Sequence, residues 1–337
     1  MRAQDRRRVG YGGQPAVTVA QRFAAAEITT AAQVLAFMLE LWEQINPFGS
    51  IESQWSHARV RAAEALADAQ RDVALLALAY LAAHADALGV PDGPGVPVLD
   101  VEAAVVGRSQ TGRDLLDVLD HAQMAARSMI WGGMAPDAAW VRSRSILERT
   151  VSTEVGDTAR EVLSTGMVLD DRITGYERLV TLPACDRCLV LAGRFYRYTD
   201  AFQRHPRCEG CVHVPTYHVP GLGIVGGVAA SHTPDALAAA MSPAERRQVF
   251  GTAGAEAIES GASVSPIVQG RHAPPRRISR ADRATAARLG IEPHEINSAQ
   301  RGRGRSLRWI RATYAHQPHL LREELARNGW LTEAVRV

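Results

Sequence analysis

IESQWSHARVRAAEALADAQRDVALLALAYLAAHADAL, beginning at Ile51 and ending at Leu88, is the stretch whose reading decides the fold class. Its apolar residues Leu66, Ala69, Val73, Leu76, Ala77 and Tyr80 recur in steps of three and four, the spacing that lines one face of an α-helix. Just upstream, residues 17–46 repeat the pattern with Val34, Leu35, Met38, Leu41 and Trp42. Between the two, Asn46-Pro47-Phe48-Gly49-Ser50 is a turn, because Pro47 biases Asn46 away from helix and Ser50 can cap the second helix. An antiparallel helical hairpin is therefore predicted. Residues 89–97 end it with three prolines and three glycines in nine positions. Shorter helices are expected over 100–106, 112–132 and 136–164, the last with Pro136 and Asp137 in its first turn.

From residue 166 the texture changes. Leu179-Val180-Thr181-Leu182-Pro183 and Val212-His213-Val214 are short β-like runs that frame a cysteine-containing segment. Residues 220–227 hold four glycines, and helices are expected over 234–240 and 243–260, the second opened by the capping-box pair Ser242 and Glu245. The fold class is α+β and mainly helical: long N-terminal helices, then a small α+β core with a cysteine knuckle site. The expected division is a flexible N-terminus (1–16), a helical domain (17–165), the α+β core (166–270), and an arginine-rich arm with a C-terminal helix (271–337). That helix, over 318–328, would end at Gly329 against Trp330 and Leu331.

At 337 residues with 46% hydrophobic content, the chain can bury real cores, and its 6% aromatic content favours small aliphatic packing. The net charge is only +2, yet all 38 basic residues are arginine. Eleven arginines fall in residues 271–311 against Asp282, Glu292 and Glu295. Within that stretch Arg301, Arg303 and Arg305 could track phosphates of DNA, or belong to a solvated or docking arm. Residues 1–13 lack the apolar core of a secretory signal. The longest apolar run free of glycine and proline, 73–83, falls short of the roughly 20 residues that span a bilayer, so no membrane association is expected.

Cys185-Asp-Arg-Cys188 and Cys208-Glu-Gly-Cys211 are two knuckles with nineteen residues between them. Two residues inside each knuckle let both thiolates face one ion, and the loop is long enough to close a tetrahedral set, so structural zinc is expected. Buried free thiols and disulfides are the bland alternatives. His205 is a rival fourth ligand, whereas His213 and His218 read as ordinary strand or surface histidines. Arg187, Arg194, Arg204 and Arg207 would offset the negative charge of a four-thiolate site.

Enzyme signatures are sparse. No Gly-x-Ser-x-Gly and no His-Glu-x-x-His occur. Ser231 and His232 are the nearest suggestive catalytic pair, but neighbours in an extended chain point to opposite faces. A nuclease would use His205 or His213 with the basic stretch, yet no carboxylate cluster accompanies them; Asp170-Asp171 reads as a solvated turn.

Leu182-Pro183-Ala184-Cys185-Asp-Arg-Cys188-Leu-Val-Leu-Ala192-Gly193, followed by Phe202-Gln-Arg-His205-Pro206-Arg-Cys208, resembles the central signature of MuF-like head-morphogenesis proteins of actinobacteriophages. Val249-Phe250-Gly251, Ala253-Gly254-Ala255 and Ala257-Ile258-Glu-Ser-Gly261-Ala262 resemble the helix after that signature. Upstream, Val105-Val106-Gly107, Gly112-Arg113-Asp-Leu115-Leu116 and Asp157-Thr-Ala-Arg160 resemble the family's helical region, so the likeness covers residues 96–270. Two features depart from the family pattern: Glu209-Gly210 stands where one residue is usual, which re-aims Cys211, and Gln269-Gly270-Arg271 replaces an asparagine-containing run. The resemblance implies a minor capsid protein for head morphogenesis, acting with the portal and the major capsid or scaffolding protein. Its place would be the host cytoplasm during assembly, then the prohead or virion interior. Similar proteins are also labelled capsid maturation proteases, which leaves a peptidase as the alternative and a nucleic-acid-binding packaging accessory as the third.

Overall fold

The computed structural model describes residues 8–11, 14–92, 99–197, 211–229, 231–272, 280–289, 313–314 and 317–327. It divides the chain into two compact units, Met1–Thr181 with Arg194–Ala229, and Leu182–Gly193 with Ala230–Val337. As expected, the architecture is mainly helical α+β, with long N-terminal helices.

The first unit opens with strand β1 (Arg8–Tyr11), then helices α1 (Gln14–Glu43) and α2 (Ile51–Ala87) form the hairpin. Ser50 caps α2 by accepting the Ser53 N–H, as the sequence suggests. Gln54 fixes the turn: its Oε1 accepts the Asn46 N–H at 2.9 Å, and its Nε2 donates to the Asn46 and Ser50 carbonyls at 3.0 and 3.2 Å. α3 (Val101–Ala104), α4 (Leu115–Trp131) and α5 (Pro136–Leu169) complete the helical layer. α5 continues past the expected end at 164 because Leu163, Gly166 and Met167 prolong its buried face. Trp42 of α1 stacks on Trp140 of α5 at 3.6 Å between centroids, and meets Trp55 of α2 edge-on at 5.2 Å. By length and composition the Pro15–Glu43 stretch of α1 could cross a membrane, a test that core helices also pass. Its Phe23, Met38, Leu41 and Trp42 are buried in the core.

The sheet of this unit has the order β1-β5-β4-β2-β3, built from β2 (Ile173–Val180), β3 (Phe195–Tyr196), β4 (Cys211–Val219) and β5 (Gly223–Gly226). All neighbours are antiparallel except β1 and β5, which pair in parallel. Two strands depart from the sequence expectation. β1 lies in the segment expected to be flexible, and β5 lies in the glycine run; neither is long enough to show a period, and each is defined by its pairing partner. The expected boundary at 165/166 also needs correction. Leu179, Val212, Val214 and Val228 share one hydrophobic core with Phe23, Leu66, Val73 and Val155, so the long helices and the sheet are a single unit. A sheet with an apolar face must cover it, and the helical layer does so.

The second unit is helical: α6 (Asp186–Leu189), α7 (Pro234–Ala240), α8 (Pro243–Glu259), α9 (Val264–Arg271), α10 (Arg280–Leu289) and a last described helix, Pro318–Arg327. The capping box opening α8 is present in full. α9 was not anticipated from the sequence, because proline and glycine interrupt its eight residues. The run Arg301, Arg303 and Arg305, with the Gly329–Leu331 cap, lies outside the described residues.

Candidate knuckle site

In the second unit Cys185 is the N-cap of α6, and its sulfur accepts the Cys188 backbone N–H at 3.4 Å. An N–H pointed at sulfur favours the thiolate, the form that binds metal. Cys188 is buried and Cys185 half-buried. Cys208 and the rival ligand His205 lie outside the described residues, as do Arg204 and Arg207. Cys211 belongs to the first unit, where it starts β4 opposite Val180 and is buried. Among the described residues no three histidine, cysteine, aspartate or glutamate side chains converge as a metal group.

Around the first knuckle the structure assembles residues from distant parts of the second unit. Asp186, in the first turn of α6, receives His272 Nε2 at 2.9 Å and Arg271 Nη1 at 3.2 Å on the same carboxylate oxygen. Arg187 Nη2 lies 3.3 Å from His272 Nδ1. Arg271 also donates to the carbonyl of Val249, beside a break in α8 where Gly251 adopts φ +71° and ψ 169°. That backbone is open to glycine and costly for other residues. The end of α9 is thereby bonded to both the knuckle helix and the α8 break. Its beginning is held by Asp235 of α7, whose carboxylate accepts the Val264 N–H at 2.7 Å and the Ser263 hydroxyl at 3.3 Å. By position Arg271 and His272 open the expected basic arm, and no local signal links them to an aspartate some 85 positions earlier.

The remaining candidates lie apart from this cluster. His213 is buried in β4, with its ring 4.4 Å from that of Tyr176, and His218 is exposed. Arg194 lies over the Tyr196 ring at 5.3 Å. Asp170 is no free turn carboxylate, because both its oxygens hold Arg172, at 2.9 and 2.8 Å. Ser231 is exposed, and its hydroxyl makes no hydrogen bond to a histidine among the described residues. Burial lowers the imidazole pKa of neighbouring His232.

Glu177 is a buried polar residue that no local sequence signal marks. On β2, it accepts the Val228 N–H at 2.9 Å, directly beside Gly227. Gly227 has φ +76°, and a Cβ there would sit 2.6 Å from Glu177 Oε2. Comparisons with family models, with curated proteins and with solved structures find no match for the chain.

Proposed function

We propose that this chain is a MuF-like minor capsid protein that acts in prohead assembly, in association with the portal and the capsid interior. The observation that supports this reading is the joining of two sequence segments that carry the resemblance. The Cys185–Cys188 knuckle and the Val249–Gly251 turn of α8 lie more than 60 positions apart, and Arg271 bonds to both neighbourhoods. Such a bolted knuckle serves as a rigid structural element, and the role proposed for it is assembly rather than catalysis.

The reading includes structural zinc held by Cys185, Cys188, Cys208 and Cys211, with His205 as the alternative fourth ligand, an expectation that rests on spacing. Elemental analysis of reduced, purified protein is expected to give about one zinc per chain. Co-expression with the portal and major capsid proteins of the same genome, and isolation of the resulting proheads, tests the assembly role. The chain is expected in the prohead fraction, with the capsid protein at unchanged length. Shortening of the capsid protein that disappears in Ser231→Ala or His232→Ala would replace this reading with the maturation protease. Absence from proheads would remove it.

A further inference from the structure

α10 turns an arginine face outward. The helix runs Arg280–Leu289 and is seated through Ala286, which is 1% exposed, while Arg280, Arg283, Ala284, Ala287 and Arg288 are all exposed. At about 100° per residue these five positions fall within one arc of about 140°, and Ala286 lies outside it. The three arginines therefore share one face of one helix, spread along about 12 Å of its axis. Only alanine separates them, so nothing bulky stands between the guanidinium groups and an approaching surface.

The charge on this face is not neutralised within the fold. Elsewhere in the second unit Arg246 pairs with Glu259, Arg271 with Asp186, and Arg327 with Glu323 and Glu324. Among the described residues no carboxylate pairs with Arg280, Arg283 or Arg288. The surrounding sequence repeats the excess, with eleven arginines in residues 271–311 against Asp282, Glu292 and Glu295. The net charge of the whole chain is only +2, so attraction for an anion comes from local concentrations of charge such as this one.

Three arginine forks in a row call for a ligand with several anionic groups in a row. Each guanidinium matches a phosphate in a bidentate fashion and stays charged at any working pH. Duplex nucleic acid carries about one phosphate per 1.7 Å of its axis, enough for a 12 Å face to meet several at once, as roughly estimated from helix rise. A bilayer is the poorer match, because a surface-lying helix sets bulky apolar side chains beside its basic ones, and this face offers only alanine. We propose that the Arg280, Arg283 and Arg288 face of α10 binds the sugar–phosphate backbone of nucleic acid without sequence preference. The site is separate from the Arg301, Arg303 and Arg305 run, and it does not rest on the head-assembly reading.

The test uses the full chain and fluorescence anisotropy with labelled duplex DNA and duplex RNA, each in two unrelated sequences, from about 50 to about 200 mM salt. Arg280→Gln/Arg283→Gln/Arg288→Gln removes the face while keeping good helix formers. Arg22→Gln/Arg142→Gln/Arg149→Gln removes the same charge from exposed positions on α1 and α5. Circular dichroism confirms that both variants fold. Wild type is expected to bind both sequences alike, and the tighter of the two duplexes identifies the source of the backbone. The α10 variant should bind at least about 10-fold more weakly at the lowest salt, with the slope of log K against log salt shallower by about 2–3, as three lost phosphate contacts require. The control variant should keep the wild-type slope. Absence of binding by wild type at low salt, an unchanged α10 variant, or an equal loss in both variants would overturn the proposal and leave the assembly reading standing. Tighter α10-dependent binding to phosphatidylserine vesicles or to polyglutamate would overturn it in favour of a lipid surface or an acidic protein.

Discussion

Acidification should weaken the first unit through a single side chain, His84. It lies on α2, fully buried, with its ring 5.6 Å from that of Tyr80 and 5.9 Å from that of Tyr217. Neither ring nitrogen has a hydrogen-bond partner among the described residues. The two phenols are committed elsewhere: Tyr80 donates to the His213 carbonyl at 2.8 Å and Tyr217 to the Leu81 carbonyl at 3.4 Å. Burial alone lowers the imidazole from its ordinary 6.5 to about 4. The unfolded chain therefore takes up this proton first. The neutral ring's contribution is complete above pH 6.5, declines as pH falls from 6.5 towards 4, and changes no further below that. At about 1.36 kcal/mol for each pH unit of that gap, the loss is roughly 3 kcal/mol. Urea unfolding followed by tryptophan fluorescence between pH 7.5 and 4, on wild type and His84→Leu, isolates it. Wild type should lose roughly 3 kcal/mol more than the variant across this range, and the variant should be no less stable at pH 7.5, since two unsatisfied buried nitrogens are removed. Parallel stability profiles for the two proteins would refute the reasoning.

Glu154 on α5 acts in the opposite direction: burial raises its carboxyl from 4.5 to about 7, so its folded form prefers the proton and stability falls as pH rises from 4.5 to 7. Glu154→Gln should remove that slope, by about 1–2 kcal/mol after allowance for partial solvent screening. Gly227→Ala should destabilise by about 2–4 kcal/mol in thermal unfolding, because positive φ and the Glu177 contact penalise the same methyl group. Trp140→Ala, which deletes the stack on Trp42 and an indole hydrogen bond, should cost about 3–5 kcal/mol. Asp186→Ala should cost about 1–3 kcal/mol and raise hydrogen exchange in α9, since Arg271 and His272 lose their shared acceptor; unchanged exchange there would mean the knuckle is not bolted as described.

Local chemistry made much of this protein legible in advance. Helical spacing from Leu66 to Tyr80, the Ser50 cap and the Ser242–Glu245 box each act within one or two turns, so α2 and α8 start where the residues say they should. Between Cys185 and Cys188 a local cap forms too, the Cys188 N–H donating to the Cys185 sulfur across two intervening residues. Long-range choices were decided only by the tertiary structure. The strand Arg8–Tyr11 exists because Gly223–Gly226 offers it an edge, and β2 and β4 join the long helices because their apolar face has to be covered. His272 and Arg271 belong to the knuckle because a nearly buried carboxylate at Asp186 requires hydrogen-bonding partners, wherever in the chain they come from. A sequence fixes preferences over a few residues, whereas desolvation and burial act between any residues that folding brings together, and that is where the sheet and the setting of the knuckle were determined.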